Sequence, residues 1–208
     1  KTANGIYAGI RAAVGHVHGN DSLAGLRIAV QGVGNVGMNL ARLLAAAGAR
    51  LVVADINEAR VMQAREALGA ASVPLDEILY SEVDVLAPCA LGAVLDAESI
   101  PKLRAKIVAG GANNQLATDE DGQRLFDAGV LYAPDYVINA GGIINVAGEH
   151  EGATDAAVDA RIAGIGDRLT AIFEQSAKEG RPTNEIADAM ARERIGRGDA
   201  ASGDRLEH

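Results

Sequence analysis

Two features of this sequence could do chemistry on a phosphate-bearing molecule. The first is Gly32-Val33-Gly34-Asn35-Val36-Gly37, a G-x-G-x-x-G run. Each glycine of such a run has a mechanical role. Gly32 permits a tight turn, Gly34 lets the backbone approach a pyrophosphate, and Gly37 lets a helix pack on a strand. A helix that starts here aims unpaired N–H groups and a partial positive charge at the phosphates. The second feature is Asp55, roughly 20 residues further on. A carboxylate at that spacing accepts hydrogen bonds from ribose hydroxyls and repels a 2′-phosphate, so the pair reads as a site for NAD rather than NADP. Val33, Asn35, Val36 and Ile56 join the glycines and Asp55 in the expected cofactor set. Arg60 lies close enough to help a 2′-phosphate, which is weighed as a minor effect. The competing structural reading is a glycine turn in an ordinary βαβ unit, with Asp55 a solvated strand end.

A glycine pattern alone is weak in a chain with 25 glycines, so the elements around it decide. Residues 26–31 are a short apolar run, read as a strand. Residues 35–47 carry helical periodicity and stop at Gly48, and residues 51–55 are a second strand. A helix over 58–68 is closed by Gly69. Further strands are expected around Val73 and over 84–87, 106–110 and 130–133, with a helix over 118–128. Strands alternating with helices require a parallel sheet covered on both faces. The expected architecture is α/β: a doubly wound, mostly parallel Rossmann sheet, order 3-2-1-4-5-6, with extra C-terminal helices. A leading helix spans 2–18, with Thr2 as its expected N-cap. After Gly141-Gly142 the strand signals end. One long helix covers 156–179, with Ile162, Ile165, Leu169, Ile172 and Phe173 on its inner face, and a last one covers 183–195. The organisation expected is a single NAD-binding domain over 1–205 (leading helix 2–18, Rossmann core 26–133, C-terminal helices 143–195). Residues 206–208, Leu-Glu-His, read as the start of an expression tag.

Composition narrows the class of partner. The chain has 208 residues and a formal net charge of −9, which argues against a nucleic-acid backbone or an anionic membrane as its main partner. Backbone N–H groups can bind a phosphate without cationic side chains, so a phosphorylated cofactor stays compatible. One cysteine, Cys89, supports neither a disulfide framework nor a cysteine metal site. His16, His18 and His150 have no metal-ligand spacing, so no metal is expected. There is no apolar run of membrane-spanning length and no signal-peptide pattern, and cytoplasmic localisation is expected.

Several longer stretches resemble the cofactor domain of the leucine/valine/phenylalanine dehydrogenases. They are Thr2-Ala3-Asn4-Gly5-Ile6-Tyr7, the Gly32–Gly37 loop, Ala87-Pro88-Cys89-Ala90-Leu91-Gly92, Gly111-Ala112-Asn113-Asn114-Gln115-Leu116, and 132–142, which runs from Tyr132-Ala133-Pro134 to Asn139-Ala140-Gly141-Gly142. The resemblance implies reversible oxidative deamination of an L-amino acid to a 2-oxo acid and ammonia, with NAD taking hydride from the substrate Cα. It implies that Thr2 and Asn139 lie near the nicotinamide amide, and that Cys89, Ala90, Ala112 and Asn113 line the cofactor groove. It also implies that Ile162 and Ile165 line part of a substrate side-chain pocket. Each residue has a structural alternative: a helix cap for Thr2, a small buried hydrophobe without thiol chemistry for Cys89, a turn for Asn113 and Asn114, a left-handed turn residue for Asn139, and an ordinary core stripe for the two isoleucines. After Asn145 the sequence departs from the family, with Gly148-Glu149-His150-Glu151 where an acidic pair is expected.

The family's chemistry needs two lysines, one to anchor the substrate carboxylate and one to activate water, and an aspartate to complete a proton relay. In the family these sit in a separate domain that precedes the cofactor domain. Lys1, Lys102, Lys106 and Lys178 are the only lysines here, and none matches a catalytic motif. No catalytic residue is therefore assigned within the chain. Two readings stand: the NAD(H)-binding half of an amino-acid dehydrogenase that meets its substrate only with the missing domain, or a free-standing NAD-binding module without activity. The expected oligomeric state is monomeric or weakly self-associating.

Overall fold

Alanine, valine, leucine and isoleucine fill 28–30, 51–54 and 85–87, and every one of these residues is buried. Runs without polar alternation form strands only if both faces are covered. The computed structural model describes residues 1–90 and 92–203, with side chains through residue 193, and shows what covers them. Six strands, β1 (Arg27–Gln31), β2 (Arg50–Ala54), β3 (Ala71–Ser72), β4 (Val85–Pro88), β5 (Ile107–Val108) and β6 (Leu131–Tyr132), form one parallel sheet in the order β3-β2-β1-β4-β5-β6. That is the doubly wound order the alternation predicts. The register aligns the strand ends. Gln31 pairs with Ala54 on one side and Pro88 on the other. The next residue of each strand, Gly32, Asp55 and Cys89, therefore leaves the sheet at one shared edge.

Successive strand residues point to opposite faces, and each face has its own core. Ile28, Val30, Val53, Val85 and Ile107 pack in one cluster with residues of α1 (Thr2–His18), α2 (Asn35–Ala46) and α7 (Asp155–Glu179). Ala29, Val52, Leu86 and Val108 pack in the other with Ile78, Leu95, Ile100 and Leu125. Leu125 comes from α4 (Glu120–Asp127). Burial of each large aliphatic side chain contributes roughly 1.5–3 kcal/mol.

Helix boundaries follow from local chemistry. α3 (Glu58–Leu68) starts where the Asn57 side chain accepts from the Ala59 and Arg60 amides, and ends at Gly69 with φ +64. α7 starts where the Thr154 hydroxyl accepts from the Ala157 amide. Its buried stripe, Val158, Ile162, Ile165, Leu169, Ile172 and Phe173, lies against α1, where Gly5 and Gly9 let the helices close up. A Cβ on Gly9 would stand 2.5 Å from Ile138 Cγ1 and 2.8 Å from Leu169 Cδ1.

Several local expectations differ from the structure. Thr2 is the first residue of α1 rather than its cap; Lys1 holds the cap position, without a side-chain cap bond. α2 stops at Ala46 with Ala47 as cap, and Gly48 follows with φ +85. The third strand is Ala71–Ser72 rather than Val73, although the Val73 amide still donates to the Val53 carbonyl at 3.2 Å. Gly141-Gly142 opens a helix, α6 (Gly141–Glu151), after the short α5 (Asp135–Ile138). Helix propensity disfavours paired glycines; here contact with the start of α1 overrides it, since a Cβ on Gly141 would lie 2.9 Å from the Lys1 carbonyl oxygen and one on Gly142 2.9 Å from Thr2 Oγ1. The last described helix is α8 (Thr183–Gly203), which runs past the expected end at 195. The expected tag residues 206–208 lie outside the described residues.

Candidate functional site

Gly32 leaves β1 with φ +88, a conformation that favours glycine. A Cβ there would meet Ala90 Cβ at 2.6 Å, so the turn is pressed against the loop after β4. Gly37 is tighter still: its Cβ would stand 1.9 Å from the Gly32 carbonyl oxygen. Gly34 differs in kind. Only Arg60 Nη1, at 3.6 Å, comes near the place its Cβ would take. Two glycines of the run are thus fixed by protein contacts, and the middle one borders open space. α2 begins at this glycine with no side-chain cap and no acidic residue in its first turn. Its first N–H groups and positive dipole end remain available to an anion.

Asp55 follows β2 directly, and its side chain is only 6% exposed. Oδ2 accepts from the Val33 amide at 2.8 Å, and Oδ1 accepts from the Asn57 amide at 2.8 Å. The carboxylate therefore holds the glycine loop in place, and each oxygen keeps acceptor capacity for a further donor. Arg60 Nη1 lies 4.0 Å from Oδ1. Ile56, 85% exposed, presents an apolar surface beside it.

The loops after β4 and β5 close the other side. The Ala112 amide donates to the Pro88 carbonyl at 2.9 Å. Cβ atoms on Gly110 and Gly92 would stand 2.2 Å from the Pro88 oxygen and 2.3 Å from the Asn113 oxygen. Ala112 is buried, and Ala90 and Asn113 are exposed. Burial pushes the Cys89 thiol up to about 11, against the opposing pull of the Gly111 amide. It stays protonated at neutral pH.

Asn139 Nδ2 donates to Asn113 Oδ1 at 2.5 Å. Residues far apart in sequence meet here, at the end of α5 and in the loop after β5. Asn139 has φ −90 and ψ 3, so it is not a left-handed turn residue; Asn114, with φ +51, is the one that makes the turn. Thr2 shares a groove of about 540 Å³ with Asn4, Asn35, Val36, Asn39 and Arg42. Thr2 thus shares a groove with Asn35 and Val36 at the start of α2, and Asn113 pairs with Asn139.

Ile162 and Ile165 are not brought to this edge. They are 2% and 0% exposed and belong to the core under α1; a Cβ on Gly5 would touch Ile165 Cδ1 at 2.7 Å. The core-stripe reading describes them, because the close approach of α1 seals that face of α7. Of the lysines only Lys1 lines the groove, and its ammonium is paired. Lys1 pairs with Asp159 at 2.5 Å, Lys102 lies over the Tyr80 ring, and Lys106 and Lys178 are exposed. Among the described residues no cluster of three His, Cys, Asp or Glu could hold a metal, and no helix is long and apolar enough to cross a membrane.

Sequence reading passed over Gln115 and Asp135 as individual residues. Both are buried polar groups, and Gln115 ends the Asn-Asn-Gln run. Its signal was a long polar side chain between two apolar segments, which has no place in a core unless it bonds to something.

The sheet order and the glycine turn at its edge define a doubly wound α/β protein of Rossmann type. The chain belongs to the glutamate/leucine/phenylalanine/valine dehydrogenase family, whose sequence profile matches residues 1–61 and 52–202. Leucine dehydrogenase of Bacillus cereus is 48% identical over 194 residues, covering 93% of this chain and 53% of that protein. Phenylalanine dehydrogenase of Bacillus thermotolerans is 40% identical over 199 residues, covering 93% and 52%. The crystal structure of L-tryptophan dehydrogenase from Nostoc punctiforme superposes with a TM-score of 0.92 at 42% identity, covering 94% of this chain and 60% of that one. The chain spans about half the length of the curated relatives it matches.

Proposed function

We propose that this chain is the NAD(H)-binding part of an L-amino-acid dehydrogenase acting on a branched-chain or aromatic substrate, in reversible oxidative deamination to a 2-oxo acid and ammonia. The observation that carries the reading is the open face of Gly34 beside Asp55, whose carboxylate lies between the Val33 and Asn57 amides. The cradle has the shape and polarity for a dinucleotide: Gly32 and Gly37 are too crowded for any side chain, Gly34 leaves room for a pyrophosphate, and the uncapped start of α2 supplies N–H donors. Asp55 accepts from the ribose hydroxyls, and Ile56 offers apolar surface to the adenine. Thr2 and Asn139 hold the carboxamide end, with Asn139 bonded to Asn113, and Cys89, Ala90, Ala112 and Asn113 line the groove. When bound, NAD supplies the hydride acceptor for the substrate Cα. Every other contribution of this chain is binding and orientation.

Lys1, the one lysine lining the groove beside Thr2, is tied up by Asp159, and the groups that bind the substrate carboxylate and activate water are assigned to the rest of such an enzyme. The same reading assigns the protein to the reduced cytoplasm. The test is an assay of the 208-residue chain with NAD and leucine, valine or phenylalanine, followed by NADH absorbance, beside a binding measurement with NADH. The expected result is binding without turnover. Substantial turnover by the chain alone would mean that its lysines are misassigned.

A further inference from the structure

We infer that Gln115, anchored by Asp135, is a positioning residue that sets Asn113 against Asn139 and so fixes the nicotinamide end of the groove. The inference rests on the reading of the groove proposed above. Gln115 is fully buried. Its Nε2 donates to the Gly110 carbonyl at 2.8 Å and the Ala112 carbonyl at 3.0 Å. Its backbone amide donates to Asp135 Oδ2 at 2.9 Å. The loop from 110 to 115 is therefore wrapped around its own glutamine, with Asn113 at the crest.

Asp135 is equally constrained. It is 8% exposed, and its Oδ1 accepts from the Tyr136 amide at 2.7 Å. It opens α5, the short helix that ends at Asn139. One carboxylate thus ties the loop that carries Asn113 to the helix that delivers Asn139, and the asparagine pair closes the circuit at 2.5 Å.

The choice of glutamine is informative. Two carbonyls face Nε2, which fixes the amide orientation, since a carbonyl can only accept. Oε1 is then left buried without a partner. A buried, unpaired acceptor destabilises a fold. A methionine of similar shape would fill the space without that cost, so packing alone does not account for glutamine here. Its two donors brace the backbone on either side of Gly111, next to the residues that line the groove.

Gln115→Met removes both donors and the orphaned oxygen together. Thermal unfolding reports the fold, calorimetry reports the affinity for ADP-ribose, and fluorescence reports NADH, whose dihydronicotinamide emission senses its own surroundings. The expected result is ADP-ribose affinity within about twofold of the parent chain, NADH affinity weaker by about fivefold, and a clear loss of the NADH emission change. Equal weakening of both ligands, or no change in either, overturns the inference. If Gln115→Met does not fold, Asp135→Asn makes the same comparison from the other end of the strut. A parent chain that binds neither ligand removes the reading of the groove, and this inference with it. One that binds ADP-ribose but leaves the NADH emission unchanged contradicts the inference alone.

Discussion

The Asn139 side-chain amide donates to the Asn113 side-chain oxygen at 2.5 Å, joining the end of α5 to the loop after β5. Residues in direct contact do not act independently when mutated. Asn113→Ala and Asn139→Ala should each weaken NADH binding, and the double variant should lose little more than the worse single one. A double-mutant cycle by calorimetry checks this, with an expected coupling of about 1 kcal/mol. Strictly additive losses would mean that the pair does not act as a unit.

Gly34 and Gly37 belong to one motif but face different surroundings. Gly34→Ala meets open space and an ordinary backbone, φ −68, so the melting temperature should hold while NADH affinity falls by about tenfold or more. Gly37→Ala drives a methyl into the Gly32 carbonyl. It should lower both affinity and stability, the latter by roughly 1–3 kcal/mol or more. Melting curves beside NADH titrations separate the two; equal stability losses would contradict the division of labour.

Much of this was legible in the sequence, and the limits have physical causes. The strand order followed from the alternation of apolar runs with helical periodicity, because a run buried on both faces leaves few architectures open. Gly32–Gly37 and Asp55 were legible because the spacing fixes their geometry. The pairing of Asn113 with Asn139 was not, since it depends on how two loops pack. The resemblance named both residues without joining them. Gly141-Gly142 misled because local propensity points away from helix, while the reason for these glycines is contact with Lys1 and Thr2 at the start of α1. Ile162 and Ile165 were legible from spacing, which gave a core stripe, and the core is where they lie; only the resemblance pointed to a pocket.

Cys89 gives a pH-dependent test. Its thiol ionises at about 11, and only the thiolate attacks alkylating or disulfide reagents. Against a free cysteine, ionising near 8.5, the thiolate fraction at pH 8 is lower by roughly 100-fold. Labelling of the folded chain with a thiol reagent should be slower by about that factor, and should keep rising with pH beyond about 9, where a free thiol levels off. A rate at pH 8 matching that of the unfolded chain would contradict the protonated state of this half-buried thiol.

Two helical glycines should respond with opposite signs. Gly9→Ala presses a methyl onto Ile138 and Leu169 at the contact between α1 and α7, and should destabilise by about 1–3 kcal/mol. Gly164, inside α7, has nothing within 4 Å of its missing Cβ. Gly164→Ala should stabilise by about 0.5–1 kcal/mol, because alanine restricts the unfolded chain and favours helix. Denaturant unfolding of both variants checks the pair; a stabilised Gly9→Ala would contradict the close helix packing.

The glycine loop and Asp55 are proposed to bind NAD(H) and to discriminate against a 2′-phosphate. Calorimetric titration of the chain with NADH and with NADPH, repeated on Asp55→Ser, tests this. The expected result is NADH binding at least about tenfold tighter than NADPH, with that ratio shrinking severalfold once the carboxylate is gone. Equal or tighter NADPH binding by the unmodified chain, with Arg60 beside Asp55 as its anion partner, would contradict it.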